Sequence, residues 1–432
     1  MNPRFRFLVV STSVCLLVLL LVGAHLGRSA STSDGAYRHM AVFTEVLSRI
    51  KSDYVEEPDL KNVTLGAVNG LLEAVDPFAS YLNADQYKQY LKEKDAASGD
   101  VGLVLAKRYG YVAVVSALPG SPAANAGVGT GDLIENIKGI ATRDMPLAYA
   151  QILLKGQPGS AVELSLLHVP DPEPQKVALT RAVVLVPPVT ARMLPDQVGY
   201  IRPETLLTGK AAEIASAVRS LERQGAKGLV LDLRQCALGT SEEGLAVANL
   251  FLDKGLMTYL LGQRLPRQNF QADPAKAITR LPLVITTNRG TADGAEIAAV
   301  ALLENKRAEV VGERTFGDAA VRRAINLEDG GALILSVGKY YSQTGKAIQD
   351  TGVVPSVPYV ESEPVFDAED ETPQQPLAPR PVTKPEDDNL LKKAIEVLAK
   401  GPGVAASPAK PGMIPRERNS REPLPLAVPP QP

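Results

Sequence analysis

The residues best suited to nucleophilic chemistry are few in this chain and do not line up. It has 2 cysteines and 3 histidines in 432 residues. Cys15 sits in an apolar run near the start and Cys236 far downstream, so no intramolecular disulfide is expected. His25, His39 and His168 all precede Cys236, and the second half has no histidine, which argues against a Cys–His nucleophile. Acidic residues are the better candidates. Pro282-Leu283-Val284-Ile285-Thr286-Thr287-Asn288-Arg289-Gly290-Thr291-Ala292-Asp293-Gly294-Ala295-Glu296-Ile297 reads as a strand, a glycine-punctuated turn and a helix start, and Val311-Gly312-Glu313-Arg314-Thr315-Phe316-Gly317-Asp318 follows it. Carboxylates that meet can share a proton, bind a divalent cation, or be neutralised by an arginine such as Arg322.

These two phrases resemble the reacting centre of the carboxyl-terminal processing (tail-specific) proteases. In that family the first phrase ends in Ser-Ala-Ser-Ala-Ser-Glu, whose middle Ser is the nucleophile. The second reads Thr-Phe-Gly-Lys, whose Lys is the general base, with a Gln four residues later to hold it. Here the matching positions are Asp293, Asp318 and Arg322. The family's oxyanion loop, Leu-Arg-Asn-Asn-Pro-Gly-Gly, appears as Leu233-Arg234-Gln235-Cys236-Ala237-Leu238-Gly239, with Leu238 in place of the first Gly. The resemblance implies that Asp293 and Asp318 meet, but a carboxylate has no hydroxyl proton to give up and is a weaker base than neutral Lys. No catalytic residue is therefore expected, and Asp293, Asp318, Arg322 and Leu238 are read as degenerate positions. An aspartic-type mechanism lacks a second half-site or flap in the sequence. An ion cluster with Arg322 is favoured over a cation site holding Glu296, so no metal or cofactor is expected. Thr291 lies two residues early with no matching lysine, and Lys306 and Lys339 find no place by sequence.

The elements that must carry these residues form an α/β pattern. Val198–Arg202 reads as a strand, Ala211–Leu221 as an amphipathic helix and Gly228–Arg234 as a buried strand. A helix with Leu245, Ala248, Leu250 and Phe251 comes next, then strand Leu281–Thr287, helix Gly294–Leu303 and strand Arg307–Val311. Ahead of them Tyr111–Val115, Gly120-Ser121-Pro122-Ala123-Ala124-Asn125-Ala126-Gly127 and Gly131-Asp132-Leu133-Ile134 resemble a PDZ domain of the bacterial, circularly permuted type. Gly127 and Gly131 permit its tight turns. The resemblance implies a peptide-binding loop at Gly102, Leu103, Val104 and Leu105, taking a protein C-terminus as an added strand. Asp100 stands just before it, where its carboxylate would repel that of a ligand. Two helical runs, around Phe43–Ile50 and Val68–Val75, resemble the family's lead-in, and the resemblance spans about Phe43 to Pro358.

Arg4 and Arg6 precede the apolar run Phe7–Val22, which suits a signal anchor, or a signal peptide cleaved near Ser29-Ala30, with the remainder exported. A net charge of −2 without a basic cluster argues against nucleic acid. Fifteen of the 34 prolines fall in the last 72 residues, marking a mostly disordered tail, interrupted by a capped amphipathic stretch expected to pack on the preceding domain. The expected fold class is thus a multi-domain α/β protein. It comprises a membrane segment (1–30), a helical lead-in (31–95), a PDZ domain (96–182), a tail-specific-protease-like domain (183–360) and a Pro-rich tail (361–432) with a short helix at 387–399. The expected function is that of an envelope-located pseudoprotease on the periplasmic side, acting as scaffold or regulator. Its expected partners are C-terminal tails of exported proteins, an active paralogue or a second copy of itself, and the membrane. The alternative is an active serine-type peptidase cleaving exported proteins.

Overall fold

The computed structural model describes residues 31–94, 99–143, 145–168, 173–360 and 387–401. The N-terminal apolar run and most of the Pro-rich tail lie outside them. Among the described residues no helix is long and apolar enough to cross a membrane. The chain divides into two compact units, one reaching to Val68 and the other starting at Asn69. The lead-in forms helices α1 (Ser31–Asp53) and α2 (Leu60–Val75), as its apolar periodicity predicts, although α2 carries no buried residue. Strand β1 (Ser80–Leu82) and helix α3 (Ala84–Lys94) follow.

The PDZ unit contains β2 (Leu103–Arg108), β3 (Tyr111–Ala117), α4 (Pro122–Asn125), β4 (Leu133–Ile137), β5 (Ile140–Ala141), α5 (Leu147–Leu154), β6 (Ala161–Leu167) and β7 (Gln175–Thr180). Its main sheet runs β2-β3-β4-β6-β7, which leaves β2 at an edge. Gly127 and Gly131 do occupy the left-handed region, at φ 85° and 95°. Leu103, Val104 and Leu105 lie in β2 rather than in a loop, so of the four expected ligand-binding residues only Gly102 is a loop residue.

The second domain is built on β8 (Thr190–Leu194), β9 (Val198–Arg202), α6 (Lys210–Arg223), β10 (Gly228–Asp232), α7 (Ser241–Phe251), β11 (Leu256–Leu261), β12 (Gln268–Gln271), β13 (Leu283–Thr287), α8 (Gly294–Glu304), β14 (Glu309–Gly312), β15 (Ala320–Asn326), β16 (Ala332–Ser342), β17 (Val357–Pro358) and α9 (Asn389–Lys400). The central sheet has the order β17-β14-β13-β10-β9-β8 and is parallel except for edge strand β8. Strands β10 and β13 are buried throughout, as apolar runs flanked by helices must be. Alternate side chains serve two cores. Leu229, Leu231, Leu283 and Ile285 meet residues of α6, α7 and α8, whereas Val230, Val284 and Val311 meet Leu391, Ala394 and Leu398 of α9. The tail helix is thus the cover of one sheet face, which is why it is helical inside a Pro-rich segment. A second sheet, β1-β16-β11-β12 with β15 on β16, pairs the short strand β1 with this domain.

Candidate functional site

Leu238, Asp293 and Asp318 follow the carboxyl ends of the parallel strands β10, β13 and β14, and Arg322 lies in β15. Glycines set how closely the chain can fold there. A Cβ on Gly244 would lie 2.1 Å from the Gly294 carbonyl oxygen, and one on Gly294 would lie 2.4 Å from that of Thr240. Helices α7 and α8 therefore touch backbone to backbone, and the start of α8 is held against the end of the 233–239 loop. Asp293 occupies the turn at that start with φ 54° and ψ −127°, and its side chain does not cap the helix. Such a conformation costs a non-glycine residue about 1–3 kcal/mol. The Ala292 N–H donates to the Cys236 carbonyl at 3.1 Å, tying this turn to the loop.

Glu296, in the first turn of α8, is fully buried and organises the second phrase. Its carboxyl accepts from the Thr315 hydroxyl, from the Gly317 N–H at 2.8 Å and from the Asp318 N–H at 2.7 Å. Burial pushes this carboxyl up to about 8 against the pull of those donors. Asp318 is also raised by burial, with Arg322 opposing. Arg322 forms an ion pair with Asp318, and its guanidinium carbon lies 4.2 Å from the Phe78 ring centroid. Asp293 is raised well above the carboxylate range, first by removal from water and then by the nearby charge of Asp318, with Arg322 again opposing. Arg322 is thus the counter-charge of Asp318. Only Asp318 is ion-paired with the guanidinium, and the upward shifts of all three carboxyls favour their neutral forms.

Alternative nucleophiles are spent elsewhere. The Thr291 hydroxyl donates to the Leu233 carbonyl at 2.8 Å and accepts from the Asn288 N–H. Cys236 is buried, which pushes its thiol up, and His168 pairs with Asp132 in the PDZ unit. Lys339 pairs with Asp350. Leu238 is half-buried, and its carbonyl accepts from Leu206 N–H at 2.8 Å, so the loop is pinned through a bridge between Leu206 and Gly239.

Two features escape sequence reasoning. The PDZ unit seats directly on the loop: Ser116 Oγ donates to the Gln235 carbonyl at 2.9 Å, and Thr130 Oγ1 to Gln235 Oε1 at 2.5 Å. Ala237 and Ala292 belong to the PDZ core cluster, with Phe316 packed against it. No local pattern marks these contacts. The other is a buried ion network behind the loop, in which Arg234 binds Asp232 and, at 3.0 and 2.6 Å, Asp388. A charged residue at the end of an otherwise apolar buried strand was the available signal, because a buried charge needs a partner.

Comparison with known proteins agrees with this geometry. The profile of peptidase family S41 matches residues 197–359, and that of a PDZ domain matches residues 114–167. The carboxy-terminal processing protease CtpA of Bacillus subtilis is 31% identical over 364 residues, covering 82% of this chain and 76% of the relative. The carboxyl-terminal-processing protease of a Synechocystis species is 31% identical over 366 residues, covering 82% of each. Among solved structures, the photosystem II D1 C-terminal processing protease superposes with a TM-score of 0.62 at 28% identity, covering 74% of this chain and 92% of the other.

Proposed function

The chain belongs to peptidase family S41, and from that premise we propose that it is a catalytically silent member whose work is binding. Asp293 carries this reading. At the turn where the family places its serine, it offers no hydroxyl, and the position of the lysine base holds an aspartate already paired with Arg322. The protein-like ligand is an extended polypeptide segment of an exported protein, tails included, added as a strand to β2 of the PDZ unit. The peptidase-like domain serves as a docking body that shields such segments or pairs with an active relative. We place the protein in the cell envelope, held by the apolar run after Arg4 and Arg6 and facing the periplasm.

Family membership favours one competing reading, a working peptidase with displaced catalytic groups. Incubating the full-length protein with unfolded, apolar-tailed substrates and, separately, with a fluorophosphonate serine probe decides between them. The expected result is intact substrate and no labelling. Tail-dependent cleavage that is lost on Asp293→Ala overturns the binding reading.

A further inference from the structure

The PDZ unit holds a carboxylate of its own where a ligand terminus would be cradled. Asp100 Oδ1 accepts from the Val101 N–H at 2.6 Å and from the Gly102 N–H at 2.9 Å. These are the backbone donors that lead into edge strand β2, and a terminal carboxylate captured at such a nest needs them free. The arrangement is held from both sides. Asp100 exchanges backbone hydrogen bonds with Ala182 at 2.9 and 3.0 Å. Gly102 sits at φ 80° so close to Ser121 that a Cβ would fall 2.3 Å from the Ser121 Cβ, so the loop has no slack to turn its amides elsewhere.

The local charge is also already met. Arg181, next to Ala182, is buried and donates to the Leu153, Leu154 and Ala161 carbonyls and to the Ser160 hydroxyl. Its charge is opposed by that of Asp100. A ligand carboxylate arriving here would meet occupied donors and a like charge, and like charges at such range repel. The edge of β2 imposes no such penalty on an uncharged peptide backbone, because among the described residues β3 is its only partner strand in the sheet. Leu103 and Val104, half-buried on the PDZ core, offer an apolar surface to alternate side chains of an added strand.

We propose that Asp100 is a built-in substitute for the ligand's terminal carboxylate, so that the PDZ unit selects extended apolar segments without a free terminus over true C-termini. This inference rests on the peptide-binding reading given above and narrows it. The test uses the full-length protein and one apolar peptide in three forms: free acid, C-terminal amide, and embedded between flanking residues. Fluorescence anisotropy of the labelled peptides should show amide and embedded forms binding at least tenfold more tightly than the acid. Asp100→Gly should reverse the order of acid and amide. Asp100→Asn, which keeps an acceptor on the loop without the charge, should narrow the gap and serves should the glycine variant fail to fold. Tighter binding of the acid by the unmodified protein overturns the inference while leaving peptide binding intact. Binding of no form by any variant overturns the peptide-binding reading itself.

Discussion

Two clusters of buried carboxylates and arginines lie within one domain, and only one of them is balanced. At the end of β10, Asp232 accepts from Arg234 at 2.6 Å, from the Tyr200 hydroxyl at 2.7 Å and from the Thr286 hydroxyl at 2.7 Å. Burial alone would raise its carboxyl, yet Arg234 and Arg202 hold it well below the usual range. Arg234 in turn binds Asp388, whose side chain also caps α9 through the Leu391 N–H at 2.8 Å. At the start of α8, by contrast, only Asp318 is ion-paired with Arg322, and the carboxyls of Asp293, Glu296 and Asp318 are all raised, first of all by burial. The first cluster behaves as a structural rivet, joining sheet, loop and tail helix. The second holds Asp293 in the strained turn at the start of α8, with φ 54°.

The largest break in this contrast is expected at the rivet. Arg234→Met leaves Asp232 buried without its main counter-charge and releases Asp388. Denaturant unfolding of the full-length protein should report a loss of about 3–5 kcal/mol, the scale for an orphaned buried charge. A loss below 1 kcal/mol would mean that Arg202 and the hydroxyls suffice.

Acidity should separate the clusters by sign. Glu296 has a folded value of about 8 against 4.5 unfolded, so the folded state binds its proton more tightly. Its contribution is complete below 4.5 and is lost as pH rises towards 8. Asp232 is shifted downward, so its contribution is complete above its unfolded value of 3.8 and is lost as the medium becomes more acidic. Stability measured from pH 5 to 8 should therefore fall by an amount on the order of a few kcal/mol, and Glu296→Gln should flatten the slope. A rise in stability across that window contradicts the assignment.

The smallest effect is expected at the turn itself. Asp293→Gly removes both the strained φ and a raised carboxyl, at the cost of added freedom in the unfolded chain. The net expectation is a gain of about 1 kcal/mol in denaturant midpoint analysis, with binding unchanged. Destabilisation would show that Asp293 supports the cluster rather than straining it.

The order of the PDZ and peptidase-like regions and the buried strands were legible in the sequence alone. Periodicity, buried apolar runs and glycine turns are local signals, and a two-residue motif such as Asp293-Gly294 keeps its place in the chain whatever surrounds it. It also marked the stretch 387–399 as helical, and the helix observed is Asn389–Lys400. Tertiary structure alone decided that this helix completes the sheet by covering Val230 and Val284, that Arg234 reaches Asp388 across 154 residues, and that Gln235 receives hydrogen bonds from the PDZ unit. It also showed Asp100 spending its carboxylate on the loop beside β2. The reason is physical: a side chain's charge state and partners depend on which distant groups burial brings beside it, and that information exists only once the chain has folded.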